Sequence, residues 1–281
     1  MGLQINTNIA AMNAYRNLSN TQGAMGKSLE RLSSGLRINR AADDAAGLVI
    51  SEKLGSQVNG IKVAMRNAQD GISVVQTADG ALNETTAILQ RMRDLAMHAA
   101  NTGSTDATGA GADQAELATL NSEMDRIAST TQFGAQNLLD GTYAAKQFNI
   151  GATAAGGDLL SVTIDNGTAN KGFGSTDLGT NALDLTTGAG ATAAVSAIDS
   201  ALDKVSASRG LLGATQNRLE HTINNLSVAS ENLSASQSRI RDTDMAQEMT
   251  TFTRSQILQQ AGVSMLAQAN SAPQSVLKLL G

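Results

Sequence analysis

The 281-residue sequence contains no cysteine and no tryptophan. Without cysteine there is no disulfide framework, no thiol nucleophile and no Cys-based metal site. Aromatic side chains are limited to two tyrosines and four phenylalanines, so a large aromatic-packed core is not expected. The only histidines, His98 and His221, stand far apart and outside any ligand-spaced cluster, which predicts no metal site and no cofactor. The single proline, Pro273, is close to the C-terminal end, so nothing before it forbids very long helices. Basic residues number 20 against 25 acidic ones, a net charge of −5. That balance lacks the clustered positive charge that phosphate-backbone binding needs, and nucleic acid is not an expected partner. No apolar run approaches the roughly 20 residues required to span a bilayer. The beginning of the chain shows no basic segment followed by an apolar stretch, which predicts no cleavable secretory signal. A cytosolic protein, or one exported by a route that reads no such signal, fits equally.

What is present is periodicity. From Leu54, alternating steps of four and three land on Val58, Ile61, Met65, Ala68, Ile72, Val75, Asp79, Leu82, Thr86 and Leu89, all apolar except Asp79 and Thr86. This is the seam of a coiled-coil-like helix. Its start is expected near Asp43-Asp44, whose charges suit a helix N-terminus. Its end is expected near Asn101-Thr102-Gly103, a length of about 80–90 Å at 1.5 Å per residue. A second long helix follows the same template from Val195 through Ile198, Leu202, Val205, Leu212, Leu219, Ile223, Leu226 and Leu233 to Ile240. A shorter one is marked by Leu117, Leu120, Met124 and Ile127, with Asp113 and Glu116 as an expected capping box at its start.

Both ends of the chain are also helical in pattern. Ile5, Ile9, Met12, Leu18, Met25, Leu29, Leu32 and Leu36 form one stripe. Met245, Met249 and Phe252 begin another, and Ile257, Leu258, Val263, Met265, Leu266, Val276, Leu277, Leu279 and Leu280 continue its apolar load. Chain ends are ordinarily polar and frayed, so periodic apolar ends ask for a partner. The middle, about residues 141–190, is rich in Gly, Thr and Ala. Lys146–Ile150 and Leu159–Ile164 read as strands of a hairpin turning at Gly156-Gly157-Asp158, and Asn166-Gly167 and Gly172–Gly179 read as turn and surface loop. The expected fold is mainly α: a long coiled-coil-like helical rod with a small β-hairpin region as its tip and the two chain ends together at the other end.

Catalytic signals are weak. Gly26-Lys27-Ser28 resembles the tail of a phosphate-binding loop, but Thr21 stands where the first glycine belongs and no strand precedes it. Asp43-Asp44 is explained by helix-start electrostatics without an active site. No nucleophile, base and oxyanion donors come together, and the chain is not expected to be an enzyme. Gly47, Gly55, Gly60, Gly71 and Gly80 lie inside the first long helix. Each costs about 1 kcal/mol against alanine. They are either tolerated weak spots or points where a neighbouring backbone comes close.

Two long stretches carry a resemblance. ERLSSGLRINRAADDAAGLVISEKLG over Glu30–Gly55 resembles the N-terminal signature of bacterial flagellin, and SRIRDTDMAQEMTTFTRSQILQQAGVSMLAQANSAPQSVLKLLG over Ser238–Gly281 resembles its C-terminal one. TQF at Thr131–Phe133 and LLGATQNRLE at Leu211–Glu220 are similar too. The resemblance implies a structural subunit that is exported and self-assembles into the extracellular flagellar filament for motility. The hook–filament junction protein is the alternative, against which the ending QSVLKLLG speaks. It implies a terminal helical core from residues 1–43 and 239–281, disordered in the monomer, and a helical rod domain over 44–238 that includes the short variable region. It makes the terminal stripes the polymerisation elements: Ile5, Ile9, Met12, Leu18, Met25, Leu29, Leu32, Leu36, Met249, Phe252, Ile257, Leu258, Leu266, Leu277 and Leu280. Implied partners are further copies of the chain, the flagellar type III export apparatus, the junction and cap proteins, and an export chaperone binding Ile257, Leu258, Val263 and Leu266. Arg91, Leu95 and Glu116 match the site read by the flagellin-sensing Toll-like receptor of animal hosts.

Overall fold

A computed structural model describes residues 8–103, 105–152, 156–168 and 171–280, with side chains up to Ser271. Its long helices are α1 (Ile9–Ser34), α2 (Ala45–Ala100), α3 (Ala107–Thr130), α5 (Gly188–Arg241) and α6 (Met245–Leu280), with a short α4 (Ser175–Leu178). Strands β1 (Gln132–Phe133) and β2 (Gln136–Asn137) pair antiparallel, as do β3 (Lys146–Asn149) and β4 (Leu159–Val162). The fold is mainly α with two small β pairs. The chain divides into two compact units, Met1–Ser56 with Asn232–Gly281, and Gln57–Glu231.

The Gln57–Glu231 unit holds the main core. Leu82, Leu89 and Met92 of α2, Leu117 and Met124 of α3, and Ile198, Val205 and Leu219 of α5 are at most 1% exposed and belong to one cluster. Charged pairs flank it: Arg93 donates to Asp199 at 2.6 Å and Arg209 to Asp79 at 2.8 Å, each joining α2 to α5.

The inward line of α2 differs from the apolar template at alternate positions. Val58, Ile61, Ala68, Val75, Leu82 and Leu89 are buried as expected, but Ala64, Gly71, Ala78 and Thr85 replace Met65, Ile72, Asp79 and Thr86, which stand at the flanks. On α5, Ala194, Ala201 and Ser208 likewise go inward beside the half-buried Val195, Leu202 and Arg209. Small side chains let neighbouring elements approach, which an apolarity count undervalues. A Cβ on Gly71 would meet the Leu219 methyl at 3.3 Å and the Phe148 ring at 3.5 Å, and one on Gly60 would meet the Ala152 carbonyl oxygen at 2.5 Å. These two helix glycines are close-approach points within the chain, whereas Gly80 faces open space.

Two expectations are corrected by the structure. Helix α3 starts at Ala107, capped by Asp106, whose Oδ1 accepts the Gly109 N–H at 2.7 Å. Asp113 and Glu116 lie within the helix and turn to α2 instead, Asp113 meeting His98 Nδ1 at 2.6 Å. Asp106 is an equally good cap more than a turn earlier, and nothing after it stops the helix. Substituting Asp106→Ala is expected to cost about 1 kcal/mol, read as a lowered thermal midpoint.

The Gly172–Gly179 stretch is not a surface loop. Phe173 and Leu178 are 1% and 3% exposed, and Ser175 donates its backbone N–H and hydroxyl to Asp125 at 2.6 and 2.8 Å. The few apolar side chains of this Gly/Thr-rich segment fill the core, and α4 forms between them. The hairpin pairs Lys146 with Val162 and Asn149 with Leu159 as expected. Ile150 donates to the Asp158 carbonyl at 2.8 Å, carrying the pairing one step further, and a short 3-10 turn spans Gly156–Asp158, where the sequence places the turn.

Candidate functional site

Local signals set the two terminal helices. Asn8 caps α1 by accepting the Ala11 N–H at 3.0 Å, while its amide donates to the Ala269 carbonyl of α6 at 2.7 Å. Helix α1 stops at Gly35, φ 74°, whose N–H closes on the Arg31 carbonyl at 2.8 Å. A left-handed residue is tolerated there because glycine lacks a Cβ. Asp244 Oδ1 accepts the N–H groups of Ala246 and Gln247 at 2.9 and 3.1 Å and so starts α6.

Between these ends the incoming and outgoing chains run antiparallel. Leu36 and Asp242 form a bridge, Arg37 donates its N–H to the Arg241 carbonyl at 2.6 Å, and Thr243 donates to the Gly35 carbonyl at 2.9 Å. Ile38, one residue beyond, is 2% exposed. Asp43 accepts from the N–H groups of Arg40 and Asn39. The Arg40 N–H chiefly holds its carboxyl below the usual range, against an opposing push from desolvation. With the folded value the lower one, this contribution is present above the unfolded value and lost as pH falls through the folded one.

The seam between α1 and α6 follows three- and four-residue steps. Ala11, Ala14, Leu18, Thr21, Met25, Ser28 and Leu32 of α1 turn inward, as do Glu248, Phe252, Ser255, Gln259, Gly262, Leu266 and Ala269 of α6. The antiparallel register is fixed by Asn8 on Ala269, Leu18 against Gly262, and Arg31 beside Glu248 at 3.6 Å. Most of these side chains are small or polar. A Cβ on Gly262 would stand 3.2 Å from the Leu18 methyl, so the helices approach closely there.

Many large apolar side chains point away from the seam. Ile9, Met12, Tyr15 and Leu29 of α1, with Met245, Met249, Ile257, Leu258, Val263 and Met265 of α6, are 47–66% exposed. Single exposed apolar residues are ordinary, but an accumulation along two paired helices marks an interaction surface.

The expected polymerisation residues therefore separate into two sets. Leu18, Met25, Leu32, Leu36, Phe252 and Leu266 are half-buried, while Ile9, Met12, Leu29, Met249, Ile257 and Leu258 are exposed. Ile5 lies outside the described residues, and Leu277 and Leu280 lie in α6 where side chains are not described. The stripe reading passed over Tyr15, three residues after Met12, and over Val49 and Ile50 at the start of α2, which are 68% and 51% exposed. The three-residue step from Ile9 through Met12 was the available signal for Tyr15.

Arg91 and Glu116 are brought together, Nε to Oε1 at 2.8 Å, clasping α2 to α3. Leu95 is not beside them on the surface: it is 5% exposed and belongs to the core. Among the described residues no cluster of His, Asp and Glu could hold a metal ion, and no helix is long and apolar enough to cross a membrane.

Two terminal helices thus pair while ten of their large apolar side chains stay exposed. The bacterial flagellin N-terminal helical region matches residues 5–144 and the bacterial flagellin C-terminal helical region matches residues 195–280. Flagellin of Bacillus subtilis is 49% identical over 99% of this chain and 100% of its own length. Flagellin of Halalkalibacterium halodurans is 50% identical over 98% of this chain and 99% of its own. A crystal structure of Bacillus cereus flagellin is 33% identical, covers 57% of this chain and 88% of its own, and superposes with a TM-score of 0.49. The chain belongs to the bacterial flagellins, the structural subunits of the extracellular flagellar filament.

Proposed function

We propose that the α1–α6 pair is the polymerisation element of this filament subunit, within a terminal core of residues 1–43 and 239–281. The observation that carries this is the imbalance across the pair: five large apolar side chains, Leu18, Met25, Leu32, Phe252 and Leu266, share the seam with small and polar ones, while ten stand exposed outside it. Burying the open side chains against neighbouring copies supplies about 1.5–3 kcal/mol for each one fully covered. The terminal segments of a free subunit are disordered and fold on docking, meeting their ordering cost at that moment. Head-to-tail contacts between successive copies, with a rotation that does not close into a ring, yield the open helical polymer a filament requires.

The test is the double substitution Ile257→Asp and Leu258→Asp, at positions 61% and 52% exposed. The variant is expected to keep the helical content of the Gln57–Glu231 unit and to form no filaments under conditions where the unsubstituted chain does, as scored by electron microscopy. Filaments of normal yield from this variant would overturn the proposal.

The same terminal helices fit the remaining partners. An export chaperone covering the open Ile257, Leu258 and Val263 and displacing α1 from Leu266 would hide the surface needed for assembly, and a terminally disordered chain suits passage through the narrow type III export apparatus. The junction and cap proteins would meet the same terminal pair at the filament ends. For the host Toll-like receptor, the exposed Arg91–Glu116 pair supplies the recognition surface, and Leu95 acts by holding α2 in place. Arg91→Asp in the monomer is expected to weaken receptor activation by about tenfold or more, since it breaks a charge pair and reverses its sign. Undiminished signalling in a reporter-cell assay would count against this assignment.

A further inference from the structure

The described methionines differ widely in exposure. Met92 and Met124 are 0% exposed within the core, Met25 and Met65 are half-buried, and Met12, Met97, Met245, Met249 and Met265 are 47–64% exposed. Four of those five lie on α1 and α6, on the open side of the seam. The antiparallel register puts Met12 and Met265 at one end of the pair, near the Asn8–Ala269 bond, and Met245 and Met249 at the other, near Arg31 and Glu248.

We propose that Met12, Met245, Met249 and Met265 form an oxidation-sensitive control on assembly, a set of modification sites accessible only in the unpolymerised subunit. This inference rests on the polymerisation role given to the α1–α6 pair. The oxidant is a hydroperoxide. A thioether lone pair attacks one peroxide oxygen, the S–O bond forms and the O–O bond breaks. Sulfur is oxidised by two electrons to the sulfoxide, and the departing oxygen takes up the hydroxyl proton and leaves as water or an alcohol. The change turns a flexible apolar side chain into a polar, chiral one that resists burial in an apolar contact. Sulfoxide at both ends of the pair therefore disfavours docking wherever the next copy lands. Methionine sulfoxide is reducible, so the block is reversible. Once a neighbouring copy covers these side chains, peroxide no longer reaches them.

The experiment treats the purified full-length monomer with hydrogen peroxide, maps sulfoxides by peptide mass spectrometry and measures the critical concentration for polymerisation. Oxidation is expected at Met12, Met97, Met245, Met249 and Met265 well before Met92 and Met124. The critical concentration is expected to rise about tenfold or more, as one unpaired polar group in an apolar contact costs on that order. Treatment with methionine sulfoxide reductases of both stereospecificities should restore assembly, and filaments formed beforehand should resist oxidation at the four positions. A variant carrying M12L, M245L, M249L and M265L, near-isosteric changes, should polymerise after peroxide treatment, whereas M97L alone should give no protection.

Assembly of the oxidised wild type at the untreated concentration overturns the inference, as does peroxide inhibition of the four-leucine variant equal to that of wild type. If that variant fails to assemble even untreated, reductase rescue of the oxidised wild type decides, and absence of rescue overturns it. Filament formation by Ile257→Asp/Leu258→Asp would instead remove the underlying polymerisation reading, so the two failures are distinguishable.

Discussion

Chains lacking residues 1–30, or lacking residues 250–281, are expected to remain monomeric at every concentration at which the intact chain forms filaments. The first deletion removes all but the last turn of α1, with Leu18 and Met25 of the seam and Ile9, Met12 and Leu29 of the open face. The second removes nearly all of α6, with Phe252, Gly262 and Leu266 of the seam and Ile257 and Leu258 of the open face. Either loss takes away both the intramolecular partner and the docking surface. The core of the Gln57–Glu231 unit contains no residue from either deleted segment. Both truncated chains should therefore stay soluble and strongly helical by far-ultraviolet circular dichroism while sedimenting as monomers. Filaments of ordinary appearance from either one would contradict the role given to the ends.

Leu82→Ala is expected to destabilise the same unit by about 2–5 kcal/mol, the range for removing a fully buried leucine side chain where the surroundings cannot collapse. Leu82 is 0% exposed and lies on the inward line of α2, within the cluster that joins α2, α3 and α5. Leu211→Ala, at a position 66% exposed, should stay within about 0.5 kcal/mol of the unsubstituted chain. Urea unfolding of both variants, followed by circular dichroism, makes the comparison. A similar loss in the two would mean that the burial pattern of α5 and α2 does not describe the stabilising contacts.

The long helices were legible in the sequence because their apolar side chains recur every three or four residues over many turns, from Val58 to Leu89 and from Ile198 to Leu219. The chemistry of their contact lines was less so. Ala64, Gly71, Ala78 and Thr85 go inward because they are small, a property that periodic hydrophobicity registers weakly or not at all. The buried contribution of Phe173 and Leu178 was hidden by the glycines and threonines around them, which read locally as a loop; only the tertiary partner Asp125 shows why a short helix forms there. At the ends, the stripes marked apolar residues without revealing which would pack on their own chain and which would stay exposed. That division depends on the register of α1 against α6, fixed by contacts such as Asn8 with Ala269 that no local pattern encodes. The motif-level match at Arg91, Leu95 and Glu116 likewise left open that Leu95 is buried while the other two form an ion pair.

Amide hydrogen exchange on the free subunit and on the assembled filament, followed segment by segment, tests most directly whether the terminal pair is completed by neighbouring copies. The account predicts rapid exchange over α1 and α6 in the free subunit, strong protection of the same segments in the filament, and protection of α2, α3 and α5 within residues 57–231 in both states. Terminal helices as well protected in the free subunit as the core of that unit would contradict it.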